Sequence, residues 1–465
     1  MKKIVYIIFI LNSLIFTACS DFLKEQSSDE VMVKTVSDYS ELLLGSGYPS
    51  PTGKLYNVLY LLDDDYMLNE SAMSDDEDYL SAKSAFPFFT WQSNMWQNQD
   101  VDKTYYDDCY TLTYERLVGV NAVLDGIDEA IGTTEEKEMV KAEALALRGY
   151  YYFMLVNIYG EPYNSNKSSL GVPLKLNANI NTDGLKRNSV EEVYVQIIKD
   201  LTESSAIFEK YPKTRGSFRI NLPTVNILLT RAYLQMNDWD GVIEAATKAI
   251  ENGNPITNYI NLPQKNVTFS KYSYSEVEWL YGNGYRPCSL PGIKASSNLM
   301  SKFSENDTRL ALWFYNGNVY KKRLSTPRTP TNAIRISEAY LARAEAKAEK
   351  NDISSALADL NSLRINRYKS DASLSITSKE DLLEAIKLER RLELCFDEVR
   401  WFDLRRYGMP SITHLFKTKK SDTWQTYILE EKDPLYTLPI SNSVIEANTQ
   451  LEQNGSALEP LRQSK

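Results

Sequence analysis

The 465-residue chain contains one histidine, His414, and four cysteines. A Ser-His-Asp or Cys-His site would have to be built on that single imidazole, which lies in a Ser/Thr-flanked stretch that reads as loop, and no Gly-x-Ser-x-Gly elbow accompanies it. Gly-x-Gly-x-x-Gly, a Walker loop, His-Glu-x-x-His and Cys-x-x-Cys are also missing, which leaves dinucleotide binding, phosphate cradling, zinc-dependent hydrolysis and dithiol exchange without a sequence basis. Paired carboxylates for glycoside hydrolysis are defined by their separation in space. The acidic runs Asp63-Asp64-Asp65 and Asp75-Asp76-Glu77-Asp78 read instead as solvated loop or a calcium-tolerant patch. No catalytic residue, no metal site and no cofactor are expected, and the chain reads as a non-enzyme. Basic residues are outnumbered 52 to 62 by acidic ones, and a broadly acidic protein lacks the basic face that nucleic acid requires. No Gly/Ser-rich or Pro-rich linker divides the sequence, so one large unit with a common core is expected in place of two or three domains.

Long apolar runs are confined to the N-terminus. Lys2 and Lys3 precede the apolar stretch from Ile4 to Phe16, and Thr17-Ala18-Cys19 follows. Thirteen residues are too few to span a bilayer, so residues 1–18 read as a secretory signal. Phe16-Thr17-Ala18-Cys19 resembles a bacterial lipobox with Phe16 in place of the usual Leu, which makes Cys19 the expected lipidation site. Residues 19–35 then read as a lipidated polar tether, and Ser20 to Glu25 resembles the surface-export signal of Bacteroidetes lipoproteins. Acyl chains on one cysteine anchor firmly, because each buried methylene contributes about 0.8 kcal/mol. Loss of the signal leaves 50 basic and 62 acidic residues, a net charge of −12. Cys109, Cys288 and Cys395 remain, and buried free thiols are the expectation.

Helical periodicity dominates the rest. Val140, Ala144, Leu147, Tyr151, Met154 and Ile158 form one apolar stripe, preceded by a second helical stretch around Tyr114 to Ile131. Two segments carry tetratricopeptide-like spacing: Ala232, Val242 and Ala249 in one, Ala346, Ala356 and Leu363 in the other. Small residues at those points let antiparallel helices approach closely, and Asn237-Asp238 and Asn351-Asp352 mark the turns between them. The stretch 189–208 is a weaker candidate for another repeat. Leu61 to Asn98 and Phe269 to Tyr320 read as loop-rich insertions.

The densest signal is Lys387 to Arg406, in which eleven of twenty residues are charged. Leu388, Leu392, Cys395, Val399 and Phe402 recur at intervals of three and four and predict one amphipathic helix with a solvated, charge-rich outer face. Arg390/Glu393, Asp397/Arg400 and Asp403/Arg406 sit at spacings that support such a helix. Glu389, Arg390, Arg391, Glu393, Leu394, Phe396, Arg400, Trp401, Phe402, Asp403 and Leu404 also match the signature helix of the SusD/RagB family of outer-membrane nutrient-binding lipoproteins. Ala142-Glu143-Ala144 through Arg148-Gly149 to Tyr151-Tyr152-Phe153 resembles a second family helix, with Gly149 in place of the common Ala. Tyr436-Thr437-Leu438-Pro439-Ile440 resembles a third motif, whose usual Pro-x-x-Glu continuation is here Ser441-Asn442-Ser443-Val444.

The resemblance implies a mainly α, tetratricopeptide-like scaffold of four helix pairs with loop-rich insertions and few short strands. It makes 36–465 one such domain, with an N-terminal part of about 36–210 and a C-terminal part of about 220–465. It further implies a lipid-anchored outer-membrane protein facing the cell exterior, partnered by a SusC-like TonB-dependent transporter and capturing oligosaccharide without cleaving it. A peptide ligand, as in RagB-like members, is the alternative, and a repeat scaffold without small ligand a weaker one. The signature helix is expected to be structural.

Between Phe269 and Tyr320, 11 of 52 residues are aromatic, about twice the 11% of the whole chain. Aromatic rings stack on the C–H faces of sugars while Asn, Asp and Arg bond the hydroxyls. Trp279, Tyr281, Tyr285, Trp313 and Tyr315 are therefore the first candidates for an oligosaccharide platform, with Trp96 next.

Overall fold

Each long helix begins where a side chain can satisfy its free N–H groups. Thr133 with Glu136, and Ser189 with Glu192, close reciprocal capping boxes at the starts of the helices Thr134–Tyr159 and Val190–Lys210. In chain order the principal helices are α1 (Val36–Leu42), α2 (Leu80–Phe89), α3 (Cys109–Gly126), α4 (Thr134–Tyr159), α5 (Val190–Lys210), α6 (Leu222–Met236), α7 (Trp239–Asn252), α8 (Ser337–Glu349), α9 (Ile353–Arg364), α10 (Lys379–Leu394) and α11 (Arg400–Arg406). The computed structural model describes residues 33–465 apart from 51–54, 57, 74–79, 98–107, 182, 214–215, 263–274, 283–292, 316–318 and 321–331. The signal segment, Cys19, most of the tether and Cys288 lie outside the described residues. Cys109 and Cys395 are both buried.

The helices stack in series. α4 packs on α3 and α5, α5 on α6, α6 on α7, α7 on α8, and α8 on both α9 and α10. At the two repeat turns, Asn237 and Asn351 adopt left-handed backbone, with φ of 57° and 65°, a conformation Asn tolerates at a helix C-terminus. Asp238 and Asp352 then cap α7 and α9 by accepting from Gly241 and Ser355. Ala232, Val242, Ala249, Ala346, Ala356 and Leu363 are all fully buried at the predicted seams. Gly149 has a similar cause: a Cβ there would stand 2.8 Å from Leu201 Cγ, so the approach of α4 to α5 leaves no room for alanine without adjustment.

Helix α4 is enclosed along most of its length, and the charged side chains buried within it are paired. Arg148 makes a bidentate pair with Asp200 at 2.8 and 2.7 Å, and Glu143 accepts from Arg219 at 2.8 Å. Arg405 donates to the carbonyls of Asn157 and Gly160, and Arg187 to that of Tyr159. Two cations thus close the carbonyl end of the helix, where the macrodipole is negative. Burial pushes the Arg405 guanidinium down to about 10.

Among the described residues, eight short strands form four antiparallel pairs: β1 (Tyr66–Leu68) with β3 (Ile293–Ala295), β2 (Val277–Tyr281) with β6 (Asn332–Arg335), β4 (Phe314–Tyr315) with β5 (Val319–Tyr320), and β7 (Ile412–Phe416) with β8 (Gln425–Leu429). One apolar cluster runs from Val36 to Leu451 and joins the helices to these strands. No helix among the described residues is long and apolar enough to cross a membrane.

Three expectations are corrected. Leu61 to Asn98 is not simply loop: it contains β1 and α2. His414 is on strand β7 and buried. The single helix predicted over 387–406 is two helices, because α10 ends at Leu394 and α11 starts at Arg400. Phe396 and Glu398 between them have φ of 65° and 64°, and Leu388, assigned to the apolar stripe, is 41% exposed.

Candidate functional site

The break between α10 and α11 is explained by where its charges go. Glu393 accepts from Arg367 (2.9 Å), Arg309 (2.9 Å) and Arg335 (2.5 Å), all buried. Arg335 also reaches Asp397 at 2.8 Å, and Arg309 reaches Asp307 and Glu389 at 2.7 and 2.6 Å. Arg390 and Arg406 share Asp403 at 2.8 and 2.9 Å, and Arg406 continues to Glu345 on α8. Arg400 and Arg391 hold Asp64 at 2.7 and 3.0 Å, and Arg391 holds Asp65 at 2.8 Å. The predicted solvated face is therefore a buried ionic lattice, and Asp63, Asp64 and Asp65 are partners of the scaffold instead of a solvated loop. Of the three predicted pairs along the helix, Asp403/Arg406 forms, whereas Arg390 and Asp397 find partners elsewhere.

Electrostatics follow from that lattice. Burial by itself would raise the Glu393 carboxyl, but Arg367, Arg335 and Arg309 hold it well below the usual carboxylate range. Asp403 is likewise lowered by Arg390 and Arg406 against burial. Asp63, buried and beside Asp65 and Asp64, is raised well above the usual value. The lattice residues are buried, and their cations and carboxylates pair with one another. This arrangement can fix the geometry of the chain.

The strand pairs mark a different feature. β2 leads out to 283–292, β3 returns from it, β4 and β5 flank 316–318, and β6 follows 321–331. The insertions into the helical stack thus leave from paired strands. The aromatic candidates divide around them. Trp279 and Tyr281, two residues apart on β2, stack at 4.2 Å and pack edge-on to Tyr150. Trp279 is fully buried and Tyr281 is 5% exposed. Trp313 is also fully buried, between Tyr259 and the guanidinium groups of Arg309 and Arg335. Trp96 is half-buried against Phe88, and its indole donates to the Pro439 carbonyl at 2.7 Å. These four rings pack the insertions onto the helices, so the expectation of a solvent-facing platform is corrected for Trp279, Tyr281 and Trp313, and Trp96 has its polar edge engaged internally. Tyr315 lies on β4, and Tyr285 lies outside the described residues.

Comparison with known proteins agrees with this architecture. The model of the SusD family matches residues 245–456, and a SusD-like model described as starch-binding associating with outer membrane matches residues 21–234. The chain belongs to the SusD family. No curated protein matches it in sequence. Among solved structures, a SusD superfamily protein of Bacteroides thetaiotaomicron superposes with a TM-score of 0.73 at 24% identity, over 90% of this chain and 99% of its own. A SusD-like carbohydrate binding protein of Bacteroides vulgatus gives 0.68 at 20% identity, over 90% and 97%. A SusD superfamily protein of Bacteroides fragilis gives 0.71 at 21%, over 91% and 100%. At these identities the likeness is one of fold.

The SusD motifs can now be read physically. The 389–404 signature supplies the ionic lattice, together with Trp401, which is buried and stacks on Tyr436 at 4.7 Å. The 436–440 motif returns the chain to α4, where the Leu438 amide bonds the Ile158 carbonyl at 3.0 Å. His414 belongs to this scaffold too. Its ring is stacked between Phe89 and Trp91 at 4.0 and 4.3 Å, and its nitrogens meet the carbonyls of Phe89 and Asp63 at 2.7 and 2.9 Å. Burial disfavours the charged ring and prevails over the two carbonyls, lowering its pKa to about 4. One exposed tryptophan was not among the sequence candidates: Trp424, just before β8, at 37% exposure. It stands far from the aromatic-rich segment in sequence, and only its surroundings in space distinguish it.

Proposed function

We propose that this protein is a cell-surface glycan-binding lipoprotein, which captures oligosaccharide and passes it to a SusC-like TonB-dependent transporter in the outer membrane. The observation that carries the reading is SusD family membership, together with a matching model described as starch-binding associating with outer membrane. A solved neighbour of the same fold is a SusD-like carbohydrate binding protein. The physical logic is capture. A helical stack braced by a buried ionic lattice holds short paired strands rigidly, and rigid mounts reduce the entropy lost when a flexible sugar is bound. The ligand contacts belong to the insertions carried by those strands, with Tyr285 and Tyr315 the remaining candidates from the aromatic-rich segment. Transfer to the transporter involves capture and release, without bond cleavage, and lipidation at Cys19 keeps the protein at the membrane.

Calorimetry with a panel of plant and host oligosaccharides tests this reading. Binding by the wild-type protein, weakened about tenfold or more in Tyr285→Ala or Tyr315→Ala, is the expected result, because one stacking ring contributes about 1–2 kcal/mol. A protein that ignores every glycan and binds extended peptides would instead be a peptide-uptake lipoprotein.

A further inference from the structure

Tryptophan is seldom left in water without a use, and six of the seven in this chain are buried or half-buried. Trp424 is the exception, at 37% exposure. It lies in the β7–β8 connection, among Ser421, Asp422, Thr423 and Gln425, all exposed. The ring is held in place from one side. The Lys417 ammonium lies over it, 4.7 Å from its centroid. Lys417 is itself 4% exposed, and its Nζ is fixed by Glu70 Oε1 at 2.5 Å and the Lys420 carbonyl at 2.7 Å. A buried, doubly bonded cation under an indole is a mount, and the exposed surface of the ring is what remains to meet a ligand.

The mount also has a location. Glu70 follows β1 by two residues, and Leu68 at the end of β1 pairs with Ile293 at the start of β3, where the chain returns from 283–292. Trp424 is therefore tied to the strand edge at which the chain returns from 283–292. Asp422 accepts the Lys419 amide at 2.8 Å through one carboxylate oxygen and is otherwise exposed. An exposed indole held on one side by a cation is the chemistry that stacks on the C–H groups of a sugar.

We infer that Trp424 is a surface stacking platform for a pyranose ring, mounted on Lys417 and adjoining the insertion edge. The inference rests on the glycan reading and extends it to residues outside the aromatic-rich segment. A longer chain that reaches both the insertions and Trp424 gains from two linked contacts, so polymers should depend on Trp424 more than short oligomers do.

Native affinity gels cast with soluble starch, xylan or pectin provide the test, run with wild-type protein, Trp424→Ala and Trp424→Phe. For a polymer that retards the wild type, Trp424→Ala should weaken retention about tenfold, and Trp424→Phe should keep most of it, with both variants melting as the wild type does. Retention of Trp424→Ala equal to wild type would overturn the platform while leaving the glycan reading intact; a wild type retarded by no polymer and bound by no oligosaccharide would overturn both. A second measurement needs no variant. N-bromosuccinimide should oxidise Trp424 first among the tryptophans, and the retarding polymer should protect it, as followed by peptide mass spectrometry. Protection by vesicles of phosphatidylethanolamine and phosphatidylglycerol but not by glycan would assign Trp424 to the membrane surface and overturn the inference.

Discussion

Glu393 is surrounded by three buried guanidinium groups, so its removal leaves cations with an uncompensated partner in a low-dielectric site. Glu393→Ala should cost about 3–5 kcal/mol of folding stability, measured by denaturant unfolding, or prevent accumulation of folded protein. Acid should act on the same lattice. The carboxyls of Glu393 and Asp403 are depressed in the folded state, so the stability they contribute is present above their unfolded values, 4.5 and 3.8, and is lost as pH falls through the folded ones. His414 acts at higher pH. Its pKa falls from 6.5 unfolded to about 4 folded, so the unfolded chain binds more protons between those values. Stability should therefore decrease by roughly 3 kcal/mol as pH drops across that window. Urea unfolding of wild type and His414→Gln from pH 7 to 4 checks this: the variant should show a shallower slope between pH 6.5 and 4, and an unchanged slope would refute it. None of this was legible in the charge pattern, because side chains three apart on a helix suggest local pairs, whereas the lattice is made between α10, α11, α8 and distant strands.

At the scale of elements, the repeat turns are the part the sequence reveals most directly. Asn-Asp followed by small residues at spacings of ten and seven fixes both the turn and the seam, and Asn237 and Asn351 adopt the left-handed backbone that makes the turn short. Replacing Asn351 by Ala should cost about 1–2 kcal/mol, while Asn351→Gly should be nearly neutral, since only a side chain without tolerance for that conformation is strained. Thermal unfolding of the two variants separates these outcomes. Trp401 gives the corresponding test for the signature segment. It is 1% exposed and stacked on Tyr436, so Trp401→Ala should lose about 3–5 kcal/mol and lower the melting temperature without altering the ligand affinity of the folded fraction. Loss of binding in a stable Trp401→Ala protein would move the ligand site onto this helix. The same periodicity misread 387–406 as one helix. An apolar repeat of three and four registers which residues face inward, but it does not report that Phe396 and Glu398 reverse the backbone so that Glu393 and Asp397 can meet Arg335.

For the whole molecule, anchoring and scaffold are separable. Cys19→Ala is expected to release an otherwise folded protein from membranes, because the remaining chain brings no helix, among the described residues, that could span one. Fractionation in cells lacking the transporter measures this, and continued sedimentation with outer membranes would contradict the lipidation site. The amino-acid sequence by itself determined the helical class, the repeat seams and the family, because those depend on local spacing and on motifs contiguous along the chain. Tertiary structure decided the rest. Trp279 and Trp313 look like loop platforms in sequence and are core rings in space, since pairing of β2 with β6 and packing on Tyr150 and Tyr259 exclude water from them. Trp424 looks isolated in sequence and is mounted on Lys417, which is held in turn by Glu70 from more than three hundred residues earlier. Exposure and long-range pairing are properties of the packed whole, and no local pattern carries them.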